Sequence, residues 1–255
     1  MKHQPLHVYI LISLIFFGQF AIGDVKETTY QAKDNKAFKI PEVFNERSFF
    51  DLGKKATDEK QYGLAIKFYR AIIDKIPNHH DAQVNLAYAY ALNSQFEESN
   101  KIYEDLLRKN KNDLDAAYNL ARNYWDMGLP KKAIDGLENI IKKNKNYIKA
   151  YIELSFIYLT NSQLEEALKW IGEGIKLTKN DSLLWYNKGL VFQRKSMYQE
   201  AIQFYKKSIE LDPYYQDTFT NISTCFEMTG DFENAKKYKY PSYSLPAAAE
   251  TKKEN

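Results

Sequence analysis

Few residues in this chain have the types and spacing that covalent chemistry needs. After the N-terminal segment the only histidines are His79 and His80, adjacent in a predicted turn, and no further metal ligand stands at a useful helical spacing from them. Cys225 is the single cysteine. It falls in the apolar stretch Ile222 to Phe226, where a small buried thiol is expected and no basic partner activates it. It also rules out an intramolecular disulfide and a cysteine-based zinc site. No phosphate loop and no dinucleotide fingerprint occur. The acidic residues are spread as helix-surface charge. The sequence therefore reads as non-enzymatic, with no metal and no small-molecule cofactor.

Composition says what kind of frame carries the remaining, binding-type side chains. The chain has 255 residues, of which 20 are Tyr while only 10 are Gly and 7 Pro. Scarce Gly and Pro favour long helices with short connections, because both residues interrupt helical hydrogen bonding. Net charge is +3, from 36 basic and 33 acidic residues, too small to draw the chain to nucleic acid by bulk electrostatics. Lysine runs such as Lys142-Lys143-Asn144-Lys145 sit between periodic segments and read as solvated turns.

Residues 1–23 read as an export signal. A weakly basic start at Lys2 precedes the apolar run Val8 to Phe17, and Ala21 and Gly23 fit a small-x-small cleavage site before Asp24. An uncleaved anchor is the alternative, but Val8 to Ile22 is shorter than the ~20 residues that cross a bilayer. Export to a bacterial periplasm or the cell exterior is expected, with membrane contact only if the segment is retained.

The remainder of the chain follows one register. Small residues stand at Ala65, Ser99, Ala133, Ala167, Ala201 and Ala235, each 34 positions after the last. Around them lie pairs of amphipathic segments with apolar residues at helical spacing, such as Leu86 with Tyr90 and Leu120 with Tyr124. Polar or Gly-containing turns separate the two members: Asn93-Ser94-Gln95, Met127-Gly128-Leu129, Asn161-Ser162-Gln163, Thr229-Gly230-Asp231. Such a period is the mark of a solenoid.

Over residues 46–240 the pattern resembles the tetratricopeptide repeat (TPR) family. The unit from Ser182 shows Trp185, Gly189, Phe192, Ala201, Tyr205, Ser208 and Pro213 at the family's signature positions; the unit from Glu46 shows Phe49, Leu52, Gly53, Ala65, Tyr69 and Pro77. The resemblance implies an all-α, right-handed α-solenoid of about six units: 46–79, 80–113, 114–147, 148–181, 182–215 and 216–240. Lys111, Lys145 and Lys179 replace the closing Pro, so those three turns are expected to be less rigid. Residues 24–45 and 241–255 lack periodicity and are expected to be flexible.

The resemblance also implies a concave binding face, built from positions two, five, six, nine and twelve or thirteen of each first helix. Position six reads Asp51, Asn85, Asn119, Glu153, Asn187 and Asn221. An Asn amide both donates and accepts, so a row of them could pair with a peptide backbone, in the manner of the asparagine ladder of a glycosyltransferase TPR domain. Glu153 interrupts the row and is expected to favour a Lys, an Arg or a free amine. Tyr88, Tyr118, Trp125 and Tyr186 supply stiff, half-polar area, and Arg122 could bind a carboxylate or stack on a ring. Of the residues that the family's chaperone-binding members use as a carboxylate clamp, only Asn85 has a counterpart. The expected function is an exported adaptor, scaffold or chaperone-like factor that holds a protein or peptide in this groove during envelope assembly. The open alternatives are a spacer or self-associating solenoid, or a membrane-tethered scaffold.

Overall fold

The computed structural model describes residues 27–31, 37–41 and 43–239; residues 1–23, expected from the sequence to be an export signal, and residues 241–255 lie outside the described part. Two strands, β1 (Glu27–Gln31) and β2 (Ala37–Pro41), pair antiparallel with Glu27 opposite Pro41 and Gln31 opposite Ala37. The stretch 24–45, expected from the sequence to be a flexible segment, thus includes a strand pair that was not foreseen. Thr28, Thr29, Tyr30, Phe38 and Ile40 are strand-favouring residue types, in runs too short to stand out as a period.

Twelve helices follow: α1 (Glu46–Asp58), α2 (Tyr62–Lys75), α3 (His80–Leu92), α4 (Phe96–Lys109), α5 (Leu114–Asp126), α6 (Pro130–Lys143), α7 (Ile148–Thr160), α8 (Leu164–Leu177), α9 (Ser182–Arg194), α10 (Tyr198–Leu211), α11 (Gln216–Met228) and α12 (Phe232–Lys239). They pack as neighbours along the chain. Over residues 46–239 the fold is an all-α solenoid of six helical pairs.

Local chemistry fixes where the helices start. Asn45 opens α1 by accepting the Ser48 N–H at 2.9 Å, and Phe44 packs on Phe49 with ring centroids 5.2 Å apart, a hydrophobic staple across that cap. Asp113 accepts the Ala116 N–H ahead of α5, and Asp181 accepts from Leu183 and Leu184 ahead of α9. His79 caps α3 through Nδ1, which receives the Ala82 N–H at 3.2 Å, while Nε2 lies 3.0 Å from Glu46 Oε1. An accepting Nδ1 leaves the proton on Nε2, so one tautomer serves both contacts.

Every turn inside a pair has the same form. The residue at 60, 94, 128, 162, 196 and 230 is left-handed, with φ between 58° and 79°. The next N–H returns to a carbonyl five residues back, as in Gln95 N to Tyr90 O at 2.8 Å and Leu129 N to Tyr124 O at 2.8 Å, which closes a Schellman motif. Between pairs, the residue that ends the second helix accepts a backbone N–H two positions on, both in the turn that contains Pro213, where Asp212 Oδ1 accepts from Tyr214 N at 3.0 Å, and in the three turns without proline. Asn110 Oδ1 accepts from Asn112 N at 3.0 Å and Asn144 Oδ1 from Asn146 N at 2.9 Å. Thr178 Oγ1 does the same for Asn180 N at 3.3 Å. The three turns expected to lack restraint are thus each held by a local hydrogen bond.

Small residues let the helices close. Ala65, Ser99, Ala133, Ala167, Ala201 and Ala235 are all buried. The ring of Tyr69 occupies the space a Cβ would take on Gly53, at 2.7 Å, and Tyr205 does so at Gly189, at 2.5 Å. The core is a string of clusters, each joining one pair to the next, as expected of a one-dimensional architecture. Cys225 is fully buried in the last cluster, and burial pushes its thiol up to about 11. In the sixth pair Tyr238 stacks on Phe226, ring centroids 5.4 Å apart. The end of the stack is less polar than expected of a cap, since Phe232 is 71% and Met228 57% exposed.

Candidate functional site

First helices α3, α5, α7 and α9 line a groove of about 640 Å³. Helix α3 contributes Val84, Asn85 and Tyr88, and α5 contributes Asp115, Tyr118, Asn119 and Arg122. Helix α7 adds Lys149, Ile152 and Glu153, and α9 adds Leu183. All stand at positions two, five, six or nine of their units. One helical face carries those positions, and the 34-residue repeat stacks the faces side by side.

Glu153 lies at the centre with its side chain 16% exposed. It accepts the Tyr118 hydroxyl at 3.1 Å and lies 4.0 Å from Arg122 Nε. Burial raises the Glu153 pKa above the usual carboxylate value, against the opposing pull of Arg122 and the Tyr118 hydrogen bond. For Arg122, burial lowers the value, but Glu153 and the neighbouring tyrosines outweigh it and the guanidinium is held charged. Burial, then Glu153, raises Tyr118, which stays a neutral donor. A second couple lies alongside, with the Tyr147 hydroxyl donating to Asp115 Oδ1 at 2.6 Å. The Tyr118 ring has the Arg122 guanidinium 5.9 Å and the Lys149 ammonium 6.0 Å from its centroid.

Six of the ten residues singled out in the sequence come together here: Asn85, Tyr88, Tyr118, Asn119, Arg122 and Glu153. Four do not line the groove. Trp125 packs edge-on against Phe156, centroids 6.3 Å apart. Tyr186 is buried against Tyr205 and Tyr215. Asn187 is only 3% exposed and donates to Ser155 Oγ at 2.8 Å and the Ile152 carbonyl at 3.3 Å. Asn221 donates to the Tyr186 hydroxyl at 3.1 Å and the Asp217 carbonyl at 2.9 Å. The expectation of ligand-facing groups at Tyr186 and Asn187 is therefore corrected. In the C-terminal half the asparagine row clips one pair to the next, because a position-six side chain there reaches back to the preceding unit.

At the other end Asn85 donates to the Asp81 carbonyl at 2.7 Å. The Asn119 side chain alone of the four makes no hydrogen bond to the described residues. Val84, Asp115, Lys149, Ile152 and Leu183 were not singled out in the sequence although they occupy positions two and five. Singly they look like ordinary helix-surface or core residues, and only the register marks them. Among the described residues no group of three or more potential ligands could hold a metal ion, and no helix is long and apolar enough to cross a membrane.

Stacked helical pairs with a continuous lined face define a helical-repeat interaction scaffold. Models of the tetratricopeptide repeat match residues 56–123, 115–147 and 182–215, and the fold is a TPR solenoid. Among solved structures it is similar to PilF of Pseudomonas aeruginosa, at 14% identity and a TM-score of 0.61 over 77% of this chain and 92% of that one. A tetratricopeptide repeat protein from Parabacteroides merdae gives 14% and 0.58 over 76% and 77%. MamA from Desulfovibrio magneticus RS-1 gives 18% and 0.53 over 62% and 90%. At these identities the likeness is one of fold. No curated protein matches the sequence.

Proposed function

We propose that this chain is a non-catalytic adaptor, scaffold or chaperone-like factor that holds a protein or peptide across the groove of α3, α5, α7 and α9. The observation that carries this reading is the lining itself. Three helices from successive units, α3, α5 and α7, place polar and aromatic side chains at the same register positions, α9 adds Leu183, and Asn119 keeps both donor and acceptor capacity for a ligand. Tyr88, 37% exposed, offers a stiff ring at low entropic cost. The N-terminal segment supports action outside the cytoplasm, in assembly of the cell envelope. Cleavage after Gly23 would remove residues 1–23 from the mass of the mature chain, whereas a tethered scaffold would retain them.

Photo-crosslinking in the native host tests the groove. A benzophenone amino acid at Tyr88 is expected to give a discrete adduct, and one at the exposed Lys169 on α8 none. Adducts from Lys169 alone, or from neither position, would overturn the reading. A second reading, self-association through the end of the stack, is favoured by the exposed Phe232 and Met228. It requires that Phe232→Glu shift the oligomeric state measured by light scattering.

A further inference from the structure

The fifth unit departs from the repeat at a position that is otherwise apolar. Position seven is Leu52, Leu86, Leu120, Leu154 and Ile222 in the other units, and Lys188 in this one. Its neighbours are rings: Nζ lies 4.4 Å from the Phe204 centroid and 5.5 Å from that of Trp185. Phe204 in turn lies 6.2 Å from Trp185, nearly parallel at 22°, and 4.9 Å from Phe192. The indole of Trp185 is fixed by its N–H, which donates to the Lys179 carbonyl at 2.9 Å. Trp185, Lys188 and Phe192 occupy positions four, seven and eleven of α9, one face of the helix and none of them a groove position. We infer that Lys188 is a covalent docking site for an aldehyde with a flat, apolar substituent, which condenses with its amine while the substituent lies against the three rings.

Lys188 is half-buried and forms no ion pair or hydrogen bond among the described residues, so no contacting carboxylate holds its amine in the protonated form. Burial lowers the pKa of that amine, because an apolar wall disfavours the charged state. A larger share of it is therefore neutral at a given pH than of a lysine in water, and only the neutral amine has the lone pair that attacks a carbonyl carbon. The C–N bond forms as the carbonyl π pair moves to oxygen. Both nitrogen protons then leave with that oxygen as water, so one amine and one aldehyde give one imine and one water, with no oxidant or reductant. The rings favour a flat substituent, which can pack on them offset or edge to face. Lys169 on α8, by contrast, is exposed and lies over the single ring of Trp170.

The test exposes the full chain to benzaldehyde at neutral pH, traps imines with cyanoborohydride, and locates the benzylated lysines by peptide mass spectrometry. Early in the reaction Lys188 is expected to be labelled about tenfold or more faster than Lys169. Acetaldehyde, which has no ring to place against Trp185 and Phe204, is expected to give a smaller lead, a comparison that needs no variant. Phe204→Ile puts here the residue type that the second unit carries at Ile102; with its fold checked by circular dichroism, it should cut the benzaldehyde lead. Labelling of Lys188 no faster than Lys169 would overturn the inference. So would an equal lead for both aldehydes, or an undiminished lead in the folded Phe204→Ile chain. None of these readouts involves the groove, so the site stands or falls apart from the reading above.

Discussion

Gly189 shows how tightly one position can be held. Tyr205 sits where its Cβ would be, at 2.5 Å, and its hydroxyl donates to Gln193 at 2.5 Å. Gly189→Ala is expected to cost about 1–3 kcal/mol, as overpacking of a filled core does, read from the urea midpoint. The chain holds its own remedy, because the third unit pairs Ala121 with Leu137, both buried. Gly189→Ala combined with Tyr205→Leu should recover part of the loss.

His80 carries the pH response at this scale. Its Nε2 is 2.6 Å from Asp113 Oδ2 and its Nδ1 3.3 Å from Asp81 Oδ1. The hydrogen bond to Asp113 raises the imidazole pKa above 6.5, partly offset by burial and helped by Asp81. A raised pKa means stabilisation that is fully present below the unfolded value and is lost as pH rises through the folded one. His80→Ala should therefore destabilise at pH 5.5 and have little effect at pH 8.5. With the side chain 51% exposed, solvent screening should keep the difference below about 1 kcal/mol. Equal losses at both pH values would refute the assignment.

Among the elements, the turns inside each pair are the most uniform feature and the least economical. Six residues at one register position are left-handed, yet only Gly128 and Gly230 are glycines; Lys60, Ser94, Ser162 and Ser196 hold φ near 60°. A side chain costs about 1–2 kcal/mol there, and glycine's extra freedom in the unfolded chain returns part of that. Ser94→Gly, Ser162→Gly and Ser196→Gly are each expected to stabilise by about 0.5–1 kcal/mol, and Gly128→Ala to destabilise by a similar amount, measured by urea unfolding.

Such positions also show what was legible in the sequence. The period, the paired helices and the buried small residues follow from local pattern, since helical spacing and residue size are written in the chain itself. The groove was legible as a set of register positions. Which of its side chains remain open to a ligand was not, because that depends on partners about 35 residues away. Asn119 and Asn187 look alike in sequence, yet Ser155 and the Ile152 carbonyl hold only Asn187. The strand pair at 27–31 and 37–41 was missed because five-residue strands leave too few alternations to register.

For the molecule as a whole, stability is distributed along the stack, because each core cluster is shared by adjacent pairs and by no others. Such an array opens from its ends. Helix α12 has eight residues and buries only Ala235, so its amides are expected to exchange with solvent well before those of α6, which buries Ala133, Leu137 and Ile140. Equal protection of the two helices in native-state hydrogen exchange would contradict this account.

The tyrosine–acid couples of the groove have a consequence for how its preference can change. Tyr118 belongs to the third unit and Glu153 to the fourth; Tyr147 closes the third unit and reaches Asp115 at its start. Replacing Tyr118 in the third repeat would free an oxygen of Glu153 in the fourth, and so change the groove one repeat away. The vocabulary of this surface is therefore read in overlapping words, and a substitution in one repeat also rewrites its neighbour.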